Sequence, residues 1–348
     1  MFIQLPLFGF RHAPYSISLE NILVRATNWV GDAVMSLPAL AAVRARFPTA
    51  KITVLARPWV AGLYRKEPFA DEILPYQPES VLDRWKTASE LRKRRFDCAL
   101  LLQNAFDAAL ITFLAGIPRR IGYNRDGRGL LLTDAVPVPA KGSIPPHESF
   151  YYLELLRQIG WVDRLPAEPL IRLAGQRGKM RPVIGVSPGA AYGTAKQWIP
   201  QRFAAAALQV AGQLNAEIEL FGSKSERPLC EEVRSEILRL GGSALNLAGN
   251  TTLEQFIERA GTCRVFLTND SGSMHIASAL GIPTVAIFGA TNHITTGPTG
   301  PLAQVIRHDV ECSPCLLREC PIDHRCMTGV EVDRVVESAL ELVQISTL

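Results

Sequence analysis

Short apolar runs alternate with amphipathic segments along this chain, break off once, and then begin again; few architectures accept that pattern. "NILVRAT" (21–27) reads as a strand, and Ala33 to Phe47 follows with helical periodicity. "KITVLAR" and "DEILPY" read as strands, Ser80 to Arg95 as a helix, Cys98 to Gln103 as a strand, and Phe106 to Ala115 as a helix leading to "RRIGY". Strands spaced by helices imply right-handed βαβ units and a parallel sheet. Between Pro137 and Lys179, prolines and glycines flank one amphipathic helix, "HESFYYLELLRQIG", which has the texture of a connector. The alternation restarts at "PVIGVSPG" and runs through "EIELFGS", "ALNLAG", "VFLTND" and "PTVAIFG", with helices between. The simplest architecture is α/β: two successive Rossmann-like domains with parallel sheets facing a central cleft, where such folds hold ligands. The expected boundaries are an extension over 1–20, domains over 21–176 and 177–328, and a helical end over 329–348. The closing helix, Glu331 to Val343, could pack on either domain.

Bulk properties narrow the function classes. A chain of 348 residues can bury two cores. A net charge of +4 is too mild to argue for nucleic acid but suits phosphorylated substrates or an anionic membrane surface. No apolar run has the length of a membrane span. The opening "MFIQLPLFGFRHAPYSISLE" lacks a basic n-region followed by a cleavage site, so it reads as an extension, not a signal peptide. Seven cysteines in such a chain point to a reducing cytoplasm.

The chemistry concentrates where strands end and helices begin. In "FLTNDSGSMHIASALGIPTVAIFG" (266–289), Asp270, Ser271, Gly272 and His275 fall between a strand and a helix that stops at Gly281. Open α/β sheets bind ligands at that edge, and free N–H groups there favour anions. A plain N-cap from Asp270 or Ser271 would explain one of these residues, not the imidazole a turn further in. "VSPGAAYGTAKQWIP" repeats the geometry: Gly189 and Gly193 permit close backbone approach, and Lys196 offers a point charge to phosphate oxygens. Gly222 and Ser223 form a third junction at the same edge. In "RATNWVGDAVMSLPAL", Asp32 opens the first helix; it is either a helix-terminal acid or a general base facing the cleft. "GIPRRIGYNRDGRG" gathers Arg119, Arg120, Arg125 and Arg128 in a glycine-rich loop, as an anion site or a solvated turn. "CSPCLLRECPIDHRC" holds Cys312, Cys315, Cys320 and Cys326 beside His324; the spacing lacks the paired C-x2-C of a zinc ribbon, and no metal is assigned.

Together, "NWVGDAVMSLPAL", "SPGAAYGTAKQW" and "TNDSGSMHIASALGIPTVAIFG" resemble the ADP-heptose:lipopolysaccharide heptosyltransferases of glycosyltransferase family 9, nearest the heptosyltransferase II branch. The likeness runs from Asn21 to the last helix, and "GIPRRIGY" and the C-x2-C-x4-C tail share it. It implies a GT-B fold and inverting transfer of L-glycero-D-manno-heptose from ADP-heptose onto the lipid A–inner core acceptor, the second heptose onto the first. It further implies Asp32 as catalytic base and Gly189, Lys196, Gly222, Ser223, Asp270, Ser271, Gly272 and His275 as donor-site residues. Arg119, Arg120 and Arg125 are the matching candidates for the acceptor. No DxD-type pair stands out, so no tightly bound cofactor is expected; a divalent cation is compatible with the sequence but not required by it. The implied setting is the cytoplasm, peripheral on the inner membrane face. The competing expectations are a nucleotide-sugar epimerase of related fold, a heptosyltransferase acting at another core position, and a two-lobed binding protein.

Overall fold

The computed structural model describes residues 19–174 and 178–347. The extension ahead of Leu19 and the expected domain change at 176–177 lie outside those residues. The chain divides into two compact units, Met1–Pro169 and Leu170–Leu348. The segment from Leu170 to Ala174 already belongs to the second, where the Leu173 N–H donates to Ala279 O (3.0 Å).

In the first unit the strands are β1 (Asn21–Arg25), β2 (Lys51–Ala56), β3 (Glu72–Pro75), β4 (Cys98–Leu101), β5 (Arg119–Tyr123) and β6 (Asp134–Val136). In the second they are β7 (Val183–Ser187), β8 (Glu217–Leu220), β9 (Leu245–Asn246), β10 (Val265–Asn269), β11 (Thr284–Phe288) and β12 (Ala303–Arg307). Both sheets are parallel, with orders β3-β2-β1-β4-β5-β6 and β12-β11-β10-β7-β8-β9. Taken from its first strand, each has the same doubly wound order, and the order reverses beside β1 and β4 and beside β7 and β10. Crevices at those reversals are where such sheets bind ligands. The central strands are buried on both faces, which is why they show in the sequence as continuous apolar runs without alternation.

Two details depart from the sequence expectation, and a third decides what it left open. The helix read as Ala33 to Phe47 is two helices, Val30–Met35 and Leu37–Arg46. Pro38 cannot donate to the carbonyl four residues back, and the Ser36 hydroxyl instead donates to Ala33 O (2.8 Å). The segment read as a connector, Glu148–Gln158, is part of the first unit. It buries Phe150, Tyr152, Leu153, Leu155 and Leu156 and packs on both of those helices. The closing helix, Val332–Ile345, packs on the second unit against the Pro200–Leu214 helix and strands β10, β11 and β12.

Candidate active site

At the carboxyl edge of the second sheet, Asn269 at the end of β10 is fully buried and spans the reversal. Its amide donates to Pro188 O (2.7 Å) and accepts from the Trp198 N–H (3.0 Å). This pins the loop after β7 against β10 and brings Lys196 to Asp270, Nζ to Oδ2 2.6 Å, with side chains 13% and 5% exposed. The Thr291 hydroxyl donates to the same carboxylate oxygen. Lys196 is therefore not a solvated surface lysine: burial of that depth persists only with a partner. Its ammonium also lies over the Tyr192 ring, 4.7 Å from the centroid.

Asp270 leads into the Gly272–Ala279 helix, whose N-cap, Ser271, makes no side-chain capping bond. The first N–H groups of a helix have no partner within it, so this end favours an anion. His275 is buried within the first turn. Two strands over, after β8, Ser223 is held by Glu226, whose carboxylate accepts from the Ser223 N–H and hydroxyl, both 2.7 Å. Glu226 also lies against Gly189, where an added Cβ would stand 2.1 Å from Oε1. Gly189, Gly222 and Ser223 thus meet around Glu226, a residue the sequence analysis did not single out.

The matching edge of the first sheet is built differently. Asp32 occupies the first turn of Val30–Met35, half-buried, at the carboxyl end of β1. Glu148 opens the Glu148–Gln158 helix that packs on it. Burial and the neighbouring Asp32 charge push Glu148 up to about 7, against a smaller opposing pull from Arg125. Arg128 is fully buried and donates to Tyr123 O (3.0 Å), to Asn104 Oδ1 (2.9 Å) and to Gln103 O. Asn104 in turn donates to the Tyr151 hydroxyl (3.0 Å), which Arg125 also reaches (3.5 Å).

The arginine loop expected from the sequence therefore separates into two ends. Arg125 and Arg128 follow β5 at the carboxyl edge. Arg119 and Arg120 open the strand at the amino edge, away from Asp32. There Arg119 pairs with Asp134 (2.9 Å), and Arg120 donates to the carbonyls of Leu131 and Ile117. Parallel strands put residues four apart at opposite edges, and a loop composition does not reveal that.

Comparison with known proteins identifies the family. The profile of glycosyltransferase family 9 (heptosyltransferase) matches residues 84–325. The chain belongs to glycosyltransferase family 9. It is 32% identical over 306 residues to lipopolysaccharide heptosyltransferase 2 of Escherichia coli K12, covering 82% of this chain and 88% of that protein. It is 30% identical to lipooligosaccharide heptosyltransferase 2 of Campylobacter jejuni, covering 92% and 99%. Among solved structures, E. coli ADP-heptose LPS heptosyltransferase II superposes with a TM-score of 0.81 at 30% identity, covering 94% of this chain and 100% of that one. The two-domain GT-B architecture of the family is the fold of this chain.

Within this family member, the cysteine-rich segment sits behind the lysine turn. Cys312, Cys315, Cys320, Cys326 and His324 line a cavity of about 80 Å³ that reaches Ala195. The thiols are free, and among the described residues no cluster of His, Cys, Asp or Glu is arranged to hold a metal ion. The segment grips the turn through backbone contacts. Arg318 O accepts from the Ala195 N–H (3.0 Å), the Tyr192 hydroxyl donates to Leu316 O (2.7 Å), and His324 Nε2 lies 2.9 Å from Ala195 O. Gly193 is required here, because a Cβ would come within 2.2 Å of Arg318 O. The cysteine-rich segment thus clamps the loop that carries Lys196. Tyr192 and Thr291 had no sequence signal beyond their place beside a motif.

Proposed function

We propose that this glycosyltransferase moves L-glycero-D-manno-heptose from ADP-heptose onto the first heptose of the lipopolysaccharide inner core. The observation that carries the reading is the buried Lys196–Asp270 pair beside the open amino end of Gly272–Ala279: a preorganised cation and helix terminus suit a departing diphosphate. The acceptor hydroxyl oxygen bonds to the anomeric carbon from the face opposite the diphosphate, the carbon–oxygen bond to ADP breaks, and configuration inverts. Asp32 takes the hydroxyl proton as the bond forms. Lys196 and the N–H groups at Gly272 take up charge on the diphosphate, and Gly189, Gly222 and Ser223, gathered around Glu226, form the adjoining nucleotide side of the donor site. Asp270, Ser271 and His275 complete the donor side, and Arg125 meets the acceptor. This chemistry asks for no tightly bound cofactor; a divalent cation, if used, would arrive with the diphosphate.

The likeness at about 30% identity to proteins named heptosyltransferase 2 supports the second position, and family membership favours transfer over epimerisation. Among the described residues no helix is long and apolar enough to cross a membrane, which fits peripheral work at the cytoplasmic face. The test is ADP release from ADP-heptose with acceptors truncated before or after the first heptose. Release only with the acceptor that bears one heptose supports the proposal. Release with the heptose-free acceptor moves the enzyme to the first position, and donor turnover without acceptor indicates an epimerase.

A further inference from the structure

The Val81–Lys93 and Phe106–Leu114 helices pack side by side, and Arg84 Nε bonds Asp107 Oδ1 across them (2.7 Å). Their outer face is unusually apolar. Val81, Leu82 and Trp85 are 66%, 69% and 54% exposed. Phe106 and Phe113, seven residues apart on one side of their helix, are also exposed, and Leu130 of the adjoining Gly129–Leu131 turn is 98% exposed. So many exposed apolar side chains on two packed helices and the turn beside them mark a contact surface.

The charges beside it indicate what it contacts. Residues 82, 86, 89 and 93 recur on one side of the first helix, so the apolar turn at Leu82 and Trp85 runs into exposed Lys86 and Lys93, while Arg92 is tied to Leu114 O of the neighbouring helix (2.6 Å). The helix's acids are occupied: Asp83 closes a capping box with Ser80, and Glu90 pairs with Arg94. The face therefore presents apolar and aromatic side chains with unopposed cations. A two-fold copy of the same face would set those cations against each other. A bilayer of anionic lipid complements both features, with tryptophan at the level of the headgroups and cations beside it.

We infer that this face, formed by Val81–Lys93, Phe106–Leu114 and the Leu130 turn, is where the enzyme lies on an anionic bilayer. The inference rests on the reading of a lipid-anchored acceptor, and it names the surface that meets the lipid.

The experiment is co-sedimentation of the full chain with phosphatidylethanolamine–phosphatidylglycerol vesicles and with phosphatidylcholine vesicles. Expected is salt-sensitive binding to the anionic vesicles. Neutralising Lys86 and Lys93 together (Lys86→Gln, Lys93→Gln) should weaken it roughly thirtyfold, and Leu82→Ser with Trp85→Ser by at least about tenfold. Both double variants should keep the wild-type melting curve and wild-type turnover on a deacylated, water-soluble acceptor. No binding by the wild type, or equal binding by folded variants, overturns the inference. So does a wild-type dimer that the Leu82/Trp85 variant dissolves without any change at vesicles. If the wild type binds vesicles but turns over no acceptor, the surface stands and the proposed reaction falls.

Discussion

The two sheets of this chain share one topology, yet their carboxyl edges are charged in opposite senses. At the second edge the acid is neutralised: Asp270 is tied to Lys196 and Thr291, and the neighbouring helix offers its amino end. At the first edge two carboxyls, Asp32 and Glu148, crowd together, and Glu148 holds its proton up to about 7. Two of the arginines there, Arg25 and Arg128, are deep in the scaffold. Burial lowers Arg25 to about 10, with a further push from Arg57, and burial lowers Arg128 to about 10. The doubly wound order thus supplies only a place. Local charge decides that one edge is suited to receive an anion and the other to move a proton.

The sharpest way to break this contrast is Asp32→Asn, which keeps shape and removes basicity. Turnover should fall by at least roughly a hundredfold, while calorimetric ADP binding, assigned to the other edge, stays near normal. Retained turnover with an early melt would make Asp32 a helix-terminal acid and nothing more.

At the second edge, Lys196→Ala should lower turnover roughly a hundredfold. It should also cost about 3 kcal/mol of stability, because Asp270 is left buried without its cation. The double variant with Asp270→Asn separates the two effects. It should recover much of the stability in urea denaturation and none of the turnover. Recovery of both would mean that the pair serves the fold alone.

Glu148 tests the first edge by pH. Its proton is held in the folded state from the ordinary 4.5 up to about 7, so the folded chain binds more protons than the unfolded chain across that window. Stability should then decline as pH rises from 4.5 to 7 and be flat above, by at most about 3 kcal/mol. In Glu148→Gln that decline should vanish, leaving the variant more stable than wild type at pH 8 and closer to it at pH 5. Identical pH profiles for the two proteins would show that the carboxyls do not crowd.

Much of this was legible from the sequence, for identifiable reasons. Buried parallel strands leave continuous apolar runs, so β1, β4, β7, β10 and β11 stood out, and the motifs fell at their ends. Two edge strands did not: β6 is three residues long, and β12, "AQVIR", mixes polar and apolar side chains. The Lys196–Asp270 pair joins residues far apart in the chain through Asn269, whose two bonds have no sequence periodicity. Glu148 was hidden for a different reason. A helix entered through prolines and glycines looks like a linker, and only its burial against Val30–Met35 places its first turn beside Asp32.

The smallest effect separates an N-cap from a ligand site within the second unit itself. Thr252 caps the Leu253–Ala260 helix in full: its hydroxyl accepts from the Gln255 N–H (3.2 Å), and the Gln255 side chain accepts from the Thr252 N–H (2.9 Å). Ser271 holds the same position on the Gly272–Ala279 helix, but its hydroxyl lies 3.2 Å from that of Thr268 and caps nothing. Thr252→Ala should therefore cost about 1 kcal/mol of stability and leave catalysis unchanged. Ser271→Ala should cost less than about 0.5 kcal/mol and instead weaken ADP binding, because a hydroxyl not spent on its own helix is available to a ligand there. Chemical denaturation and calorimetry on the two variants measure both quantities. If Ser271→Ala destabilises as much as Thr252→Ala and binds ADP normally, Ser271 is a cap after all, and the open helix end loses one of its reasons to be the anion site.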